Sequence, residues 1–138
     1  MTIKQLSIFI ENKGGTLIKV LDLLSKAGIQ IIASTVADTK DYGIYRILCN
    51  NPAQAYLILK DAGINVQLSD VIALSIDDQP GRAAEAVKKI SDAGVSILYL
   101  YSFLWKGKGV LVFRADSSEK AKETIMLNKM TFLTEVDF

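Results

Sequence analysis

Two short polar segments of this sequence carry the residue types that could bind a small charged molecule. They are Glu11-Asn12-Lys13-Gly14-Gly15-Thr16-Leu17 and Asp77-Asp78-Gln79-Pro80-Gly81-Arg82, the second followed by Ala83. Each segment stands between a strand pattern and a helix pattern. Each is therefore predicted to place unpaired backbone N–H groups at a helix N-terminus, where a carboxylate binds favourably. The side chains of Asn12 and Asp78 could accept hydrogen bonds from an ammonium group beside that carboxylate, so the segments suit an α-amino acid.

The same segments are also compatible with ordinary strand-to-helix turns that bind no ligand. In that interpretation Asn12 and Asp78 are helix caps, a role in which both residue types are common. Spacing alone leaves both interpretations open.

The composition lacks most of the residues that catalysis and metal binding commonly use. The 138 residues include no histidine, which removes the usual general base and the commonest metal ligand. Cys49 is the only cysteine, so the chain has neither an intrachain disulfide nor a CxxC metal site. We expect Cys49 to be a small buried residue on a strand. The composition therefore predicts a protein that is not an enzyme and uses no metal or cofactor.

Charge and hydropathy predict a cytoplasmic protein. Lys and Arg number 16 against 15 Asp and Glu, a balance that gives no electrostatic reason to expect nucleic acid or an anionic membrane as a partner. No apolar run approaches the ~20 residues of a membrane span. The segment Met1–Ile10 lacks the pattern of a signal peptide.

The sequence repeats itself at an offset of 66 residues. Three glycine pairs share this offset: Gly15 and Gly81, Gly28 and Gly94, Gly43 and Gly109. Apolar residues at strand spacing and at helix spacing recur with them. An offset of this length is too long for a solenoid and suits a duplicated small domain. We therefore predict one module over residues 1–69 and a second over residues 70–138.

Each module is predicted to have the element order βαββαβ. The first helices end at Gly28 and Gly94, where glycine can adopt the left-handed cap conformation. The second helices begin at capping side chains, at Asn51-Pro52 in the first module and at Ser117-Ser118 in the second. The last strands follow these helices, at residues 65–68 and 131–136. Right-handed βαβ crossovers put both helices on one face of an antiparallel sheet. The expected fold is α+β, with two tandem ferredoxin-like modules that share one eight-stranded sheet.

The second polar segment resembles the signature of ACT domains. The resemblance rests on Asp78-Gln79-Pro80-Gly81, on the helix that ends at Ala93-Gly94, and on the strand that opens Val95-Ser96-Ile97. The first half is similar, with Gly14 where that family usually has proline. The chain as a whole thus resembles two ACT modules in tandem.

ACT modules are regulatory domains that bind amino acids, typically at the interface of paired modules. The resemblance implies an amino-acid sensor or accessory protein, with an enzyme or regulator of amino-acid metabolism as its partner. It implies two sites, each formed by the first turn of one module and the second strand of the other. The first site would use residues 12–17 with Ser96, Ile97 and Leu98, and the second would use residues 78–83 with Gln30, Ile31 and Ile32.

Three other functions are compatible with this fold. The chain could be a structural or protein-interaction module with degenerate sites and no small ligand. Arg82 could serve as the phosphate-binding arginine of a small acyl-phosphate hydrolase. The alternating aromatics Tyr99, Tyr101, Phe103 and Trp105 could stack on RNA bases, but Tyr99 keeps the strand parity of Ile97, so we expect it to face the helices.

Apolar residues on both faces of the strands predict a homodimer. In the third strand Ile44 and Leu48 alternate with Tyr45, Ile47 and Cys49. Helices can cover only one face of each sheet, so the other face or an edge requires a partner.

Overall fold

The structure, a computed structural model of the chain, describes residues 1–11, 15–38 and 42–138. These residues form an α+β fold with six antiparallel strands and four α-helices. In chain order the elements are β1 (Thr2–Glu11), α1 (Thr16–Lys26), β2 (Ile31–Asp38), β3 (Tyr42–Cys49), α2 (Pro52–Asp61), β4 (Val66–Ile76), α3 (Arg82–Asp92), β5 (Ile97–Trp105), β6 (Lys108–Ala115), α4 (Ser118–Leu127) and a 3₁₀ helix (Glu135–Asp137). None of the described helices is both long and apolar enough to cross a membrane.

The chain divides into two compact units. The first unit contains residues 4–69 and Phe138, and the second contains residues 1–3 and 70–137. In the first unit β3 pairs with β2 on one side and with β1 on the other, and Phe9 N–H donates to the Asn65 carbonyl beside the start of β4 (2.9 Å). In the second unit β6 lies between β4 and β5.

The prediction of an eight-stranded sheet is wrong, because the described residues form six strands. Residues 65–68 and the strand that follows them were expected to be separate, but β4 runs without interruption from Val66 to Ile76. At the other end of the chain, residues 131–136 form no full strand. Phe132 makes one isolated antiparallel bridge to Leu74, and the 3₁₀ helix then begins at Glu135.

The helix boundaries follow the residues that the sequence indicated. The chain leaves α1 through Gly28 (φ 72°) and α3 through Gly94 (φ 82°), both in the left-handed region. The helices α2 and α4 begin after Asn51 and Ser117, whose side chains accept hydrogen bonds from backbone N–H groups of the first helical turn. The predicted caps are confirmed.

Both helices of each unit pack against one set of strand residues. In the first unit Val20 and Leu24 of α1 share a buried cluster with Leu59 of α2. In the second unit Ile90 of α3 and Ile125 of α4 share a second cluster with alternate residues of the strands, namely Ile72, Leu74, Leu111 and Phe113. Each unit thus has its helices on one face of its strands, as expected. Cys49 is buried on β3, also as expected.

The aromatic residues of β5 do not face the helices, and that expectation is wrong. The register between β5 and β6 shifts between Ile97 and Tyr99, so the strand parity changes there. Beyond the shift Tyr101 pairs with Val112, which lies on the face away from the helices, because neighbouring Leu111 and Phe113 belong to the helix-side cluster. One irregular residue has therefore turned the whole aromatic row to the other face.

A pair of hydrogen bonds recurs at the 66-residue offset and closes the end of each strand hairpin. In the first unit Gln30 N–H donates to Asn50 Oδ1 (3.0 Å), and Asn50 N–H donates to the Gln30 carbonyl (3.1 Å). In the second unit Ser96 N–H donates to Asp116 Oδ1 (3.0 Å), and Asp116 N–H donates to the Ser96 carbonyl (2.9 Å).

We predict that Asp116→Ala lowers the free energy of unfolding by about 1 kcal/mol, the typical net value of one hydrogen bond. Asp116→Asn is the matched control and should stay close to the parent chain, since Asn50 accepts the equivalent bond in the first unit. Chemical denaturation measures both. Equal loss of stability in the two variants would contradict the role of the side-chain oxygen.

Candidate functional site

The first predicted turn is only partly described. Asn12, Lys13 and Gly14 lie outside the described residues. Gly15 precedes α1 in the left-handed conformation (φ 100°), and Thr16 and Leu17 are the first two residues of that helix. No side chain of the described residues caps α1.

The second predicted turn connects β4 to α3 and is described in full. Asp78, Gln79 and Pro80 are exposed, and Gly81 occupies the position before the helix with φ 87° and ψ −10°. No side chain of the described residues caps α3, so the interpretation of Asp78 as its cap is wrong. The Arg82 N–H donates to the Gln79 carbonyl (3.3 Å), and the N–H groups of Ala83 and Ala84 are left to water or to a ligand.

Arg82, the first residue of α3, folds back over this turn. Its Nη1 donates to both carboxylate oxygens of Glu85 (3.0 and 3.1 Å), and its Nη2 donates to Gln79 Oε1 (3.2 Å). Its Nε is buried and has no acceptor among the described residues. A buried donor without a partner costs about 1–3 kcal/mol, so Arg82 retains unused capacity to bind an acceptor.

A cavity of about 230 Å³ lies between the end of β4, the first half of α3 and the segment after α4. Both signs of charge line it, with Arg82 and Lys89 as cations and Asp77 and Glu85 as anions. The remaining lining is apolar or carries hydroxyl groups and consists of Leu74, Ser75, Ile76, Ala86, Met130 and Thr131. Opposite charges above an apolar floor suit a small zwitterion.

The strand residues of the predicted sites lie at the starts of β2 and β5. Gln30 precedes β2, which begins with Ile31 and Ile32; all three residues belong to the first unit. Ser96 precedes β5, Ile97 packs against the second core, and Leu98 is 59% exposed. Each predicted site draws its turn and its strand from different units, and that pairing stays a prediction.

Cys49 is a poor candidate for nucleophilic chemistry. Burial raises the pKa of its thiol, and a hydrogen bond from the Asn51 backbone only partly opposes that rise. The thiolate, which is the reactive form, is therefore disfavoured. Among residues 1–11, 15–38 and 42–138, no group of three or more Cys, Asp or Glu side chains is arranged to hold a metal ion.

Comparison with known proteins identifies the family. The sequence matches the family model of the ACT domain pair over residues 1–138. This chain belongs to the ACT domain pair family. The crystal structure of protein BT0572 from Bacteroides thetaiotaomicron is 36% identical, with a TM-score of 0.93 over 99% of this chain and 95% of that chain. None of the curated proteins has a matching sequence.

Two more distant structures share the fold. The ligand-free regulatory subunit of aspartate kinase from Thermus thermophilus has 14% identity and a TM-score of 0.62, over 90% of this chain and 91% of that chain. The regulatory subunit of aspartate kinase from Thermus flavus has 16% identity and a TM-score of 0.57, over 90% of each chain. These two likenesses show that the fold is shared.

The cavity of this ACT domain pair only partly coincides with the predicted ligand-binding residues. Among those that the structure describes, Arg82 alone lines the cavity. Glu85 and Lys89 were missed, although their spacing of three and seven residues from Arg82 puts them on the same face of a helix. Asp77 opens the second turn but was not predicted to bind the ligand, since Asp78 offers the same carboxylate one residue nearer the helix. No local pattern could have indicated Thr131, which reaches the cavity through the hydrogen bond from Ser75 N–H to its carbonyl (2.9 Å).

Neighbouring cations lower the pKa of Asp77, which lines the cavity. Lys108 Nζ lies 2.9 Å from Asp77 Oδ1. The hydrogen bond and the charge of Lys108 lower the pKa of Asp77, and the charge of Arg82 adds to the effect. The pKa in the folded state is below that in the unfolded chain, so the interaction favours folding above the ordinary aspartate pKa. That contribution is lost as the pH falls through the lowered pKa.

We predict that Lys108→Met raises the pKa of Asp77 towards its ordinary value of 3.8. An NMR titration of the Asp77 carboxyl carbon measures this change. Lys88→Met is the matched control, because it also removes one lysine charge but breaks a pair with Asp92 instead (2.9 Å). A titration midpoint that Lys108→Met leaves unchanged would contradict the assignment.

Proposed function

We propose that this ACT domain pair is a non-catalytic regulatory protein that binds a free amino acid. The observation that carries the proposal is the cavity in the second unit, which presents both signs of charge above an apolar floor. An α-amino acid has a carboxylate, an ammonium group and a side chain, and this lining offers complementary groups to each. The volume of about 230 Å³ is below the ~300–1,000 Å³ of drug-sized pockets, which favours a small metabolite.

In this proposal the carboxylate of the ligand binds at the start of α3. The helix begins without a capping side chain after Gly81, and its dipole favours an anion there. Arg82 is half-buried at the same place and has a guanidinium Nε without an acceptor among the described residues. A ligand carboxylate would satisfy donors that Glu85 and Gln79 now share.

The ammonium group of the ligand would meet a carboxylate at the rim of the cavity. Asp77 and Glu85 line the cavity, and Asp78 is exposed on the adjoining turn. Releasing Glu85 from Arg82 would allow exchange of partners, with the ligand carboxylate on Arg82 and the ligand ammonium on Glu85. The net charge of the site would not change, which limits the electrostatic cost of binding.

We further propose that residues 1–69 and 70–138 act as two ACT modules whose paired surfaces complete the sites. The ACT resemblance supports a second site at Gly15, Thr16 and Leu17, and an enzyme or regulator of amino-acid metabolism as the partner that senses occupancy. Gly15 repeats the left-handed conformation and the absence of a side-chain cap seen at Gly81.

A structural or protein-interaction module without a ligand is the second candidate. The hydrogen bonds of Arg82 favour it, because the guanidinium already donates to both Glu85 and Gln79. Under this alternative the Arg82–Glu85 pair is an exposed i,i+3 ion pair, worth about 0.2–1 kcal/mol, and no amino acid stabilises the chain.

We predict that one of the twenty amino acids raises the melting temperature, whereas the ligand-free module predicts no shift. A ligand at about a hundred times its Kd stabilises a protein by about 2.7 kcal/mol, which corresponds to several degrees for a chain of this size. Arg82→Met should abolish the shift. Lys88→Met is the matched control, since it breaks another exposed ion pair of α3 and lies outside the cavity lining.

The same experiment tests whether Asp78 or a carboxylate of the cavity binds the ammonium group of the ligand. Asp78→Asn removes one charge and no helix cap, so the fold should be retained. If Asp78 binds the ammonium, its loss should weaken binding by the ~1.5–3 kcal/mol of a charged hydrogen bond. Gly81 is unsuitable for such a test, because its φ of 87° strains any side chain. Wild-type affinity in both Arg82→Met and Asp78→Asn would place the ligand elsewhere and overturn the site.

We also propose that the protein is a homodimer. The edge strand β5 exposes Leu98 (59%), Leu100 (47%) and Leu104 (64%), an apolar row that a second copy could cover. Sedimentation at micromolar concentration should show a dimer that Leu104→Lys weakens. Leu57→Lys, which changes an equally exposed leucine of α2, should leave the dimer intact. A monomeric parent chain would contradict the proposal.

A further inference from the structure

The second unit contains another cavity, of about 260 Å³, on the strand face away from α3 and α4. Its floor is the register pair Ser75 and Val110, and one wall is the pair Trp105 and Lys108 at the end of the β5–β6 hairpin. The segment after α4 supplies the opposite wall, with Leu133, Val136 and Asp137. This cavity lies outside the amino-acid site proposed above, and among the described residues the two linings share only Ser75.

The hydrogen bonds of the second unit hold the opposite wall in place. Leu133 N–H donates to the Ala73 carbonyl (2.8 Å), and the indole N–H of Trp105 donates to the Asp137 carbonyl (3.2 Å). Asp137 Oδ2 accepts from Thr134 N–H (2.7 Å) and from its hydroxyl (3.3 Å). Asp137 Oδ2 is thereby occupied within its own turn, while the carboxylate keeps its negative charge.

The rim of the cavity is cationic. Lys106 and Lys108 line it, and Lys106 Nζ lies 5.7 Å from the centre of the Trp105 ring. The apolar lining consists mainly of Leu133, which is half-buried, and of Val136, which stands 93% exposed at the edge, because Val110 at the floor is only 1% exposed. A ligand that covers Val136 and bears one negative charge would match both parts of the surface.

The backbone of Lys106 gives a second observation. Lys106 and Gly107 form the two-residue turn between β5 and β6, with φ values of 50° and 77°. Such turns require positive φ at both central positions, which Asn, Asp and Gly adopt readily and lysine does not. A cationic side chain therefore occupies a position where its backbone is unfavourable, as does Lys129 after α4 (φ 51°).

We propose that this cavity binds a small organic monocarboxylate with an apolar body. The body packs against Val110, Leu133 and Val136 beside the indole of Trp105, and the carboxylate meets Lys106 with Lys108 as the second cation. This site is independent of the amino-acid site and requires no ammonium group on its ligand.

Tryptophan fluorescence tests the proposal directly, because Trp105 is the only tryptophan of the chain. The full chain is titrated with phenylacetate, with its neutral analogue phenylacetamide and with acetate, at constant ionic strength. Phenylacetate should give a saturable change, and the other two compounds should bind at least about tenfold more weakly, since each lacks either the charge or the apolar body.

Two variants locate the anion. Lys106→Gly removes the cation and fits the positive φ, so its melting temperature should equal or exceed that of the parent chain, while its affinity for phenylacetate should fall at least about tenfold. Lys106→Asn, another residue that tolerates this φ, should behave alike. Lys88→Met is the control and should bind as the parent does. The proposal is overturned by an unsaturable response, by equal binding of phenylacetamide, or by unchanged affinity in both Lys106 variants.

Discussion

The candidate amino-acid site depends on a left-handed residue immediately before a helix. After β4 the chain must reverse into α3 within the residues 77–81, and Gly81 achieves this at φ 87°. A side chain in the left-handed region costs about 1–2 kcal/mol, although a Cβ at Gly81 would meet nothing within 4 Å. Glycine is therefore required by the backbone and not by space. Glycine also brings no capping oxygen. The Arg82 N–H bonds to the Gln79 carbonyl (3.3 Å), those of Ala83 and Ala84 stay available, and the Arg82 side chain lines the cavity.

Structural features that depend on one residue and its near neighbours could be predicted from the sequence. The caps at Gly28, Gly94, Asn51 and Ser117 each depend on the conformation of one residue and its neighbours, and all four lie where the repeat indicated. The strands were harder because their identity depends on pairing. Ser69 and Asp70 read as a junction between two strands, but they continue β4 despite the low strand propensity of aspartate. The register shift between Ile97 and Tyr99 leaves no sequence signal, and it reversed the expected orientation of the aromatic row.

The two cavities of the second unit are related through Asp77 and Lys108. Asp77 lines the first cavity and Lys108 lines the second, and the two side chains meet at 2.9 Å. Both are more than half exposed, so the pair itself adds little stability. Its effect is electrostatic: Lys108 lowers the pKa of Asp77, and Asp77 offsets part of the charge of Lys108. Lys106, at the hairpin turn, is consequently the stronger candidate for binding an anion in the second cavity.

The two halves of the repeat share the backbone conformation before their first helices but differ in the charged residues of those helices. Positions 66 residues before Arg82, Glu85 and Lys89 hold Thr16, Lys19 and Leu23, so the first unit lacks the helix charges that line the first cavity of the second. The left-handed glycine and the uncapped helix start remain at Gly15. A carboxylate could still bind at that helix terminus, but Lys19 replaces the anion that Glu85 would offer to an ammonium group. The reversed charge at this position argues that the two halves bind different ligands, or that only the second half binds an amino acid.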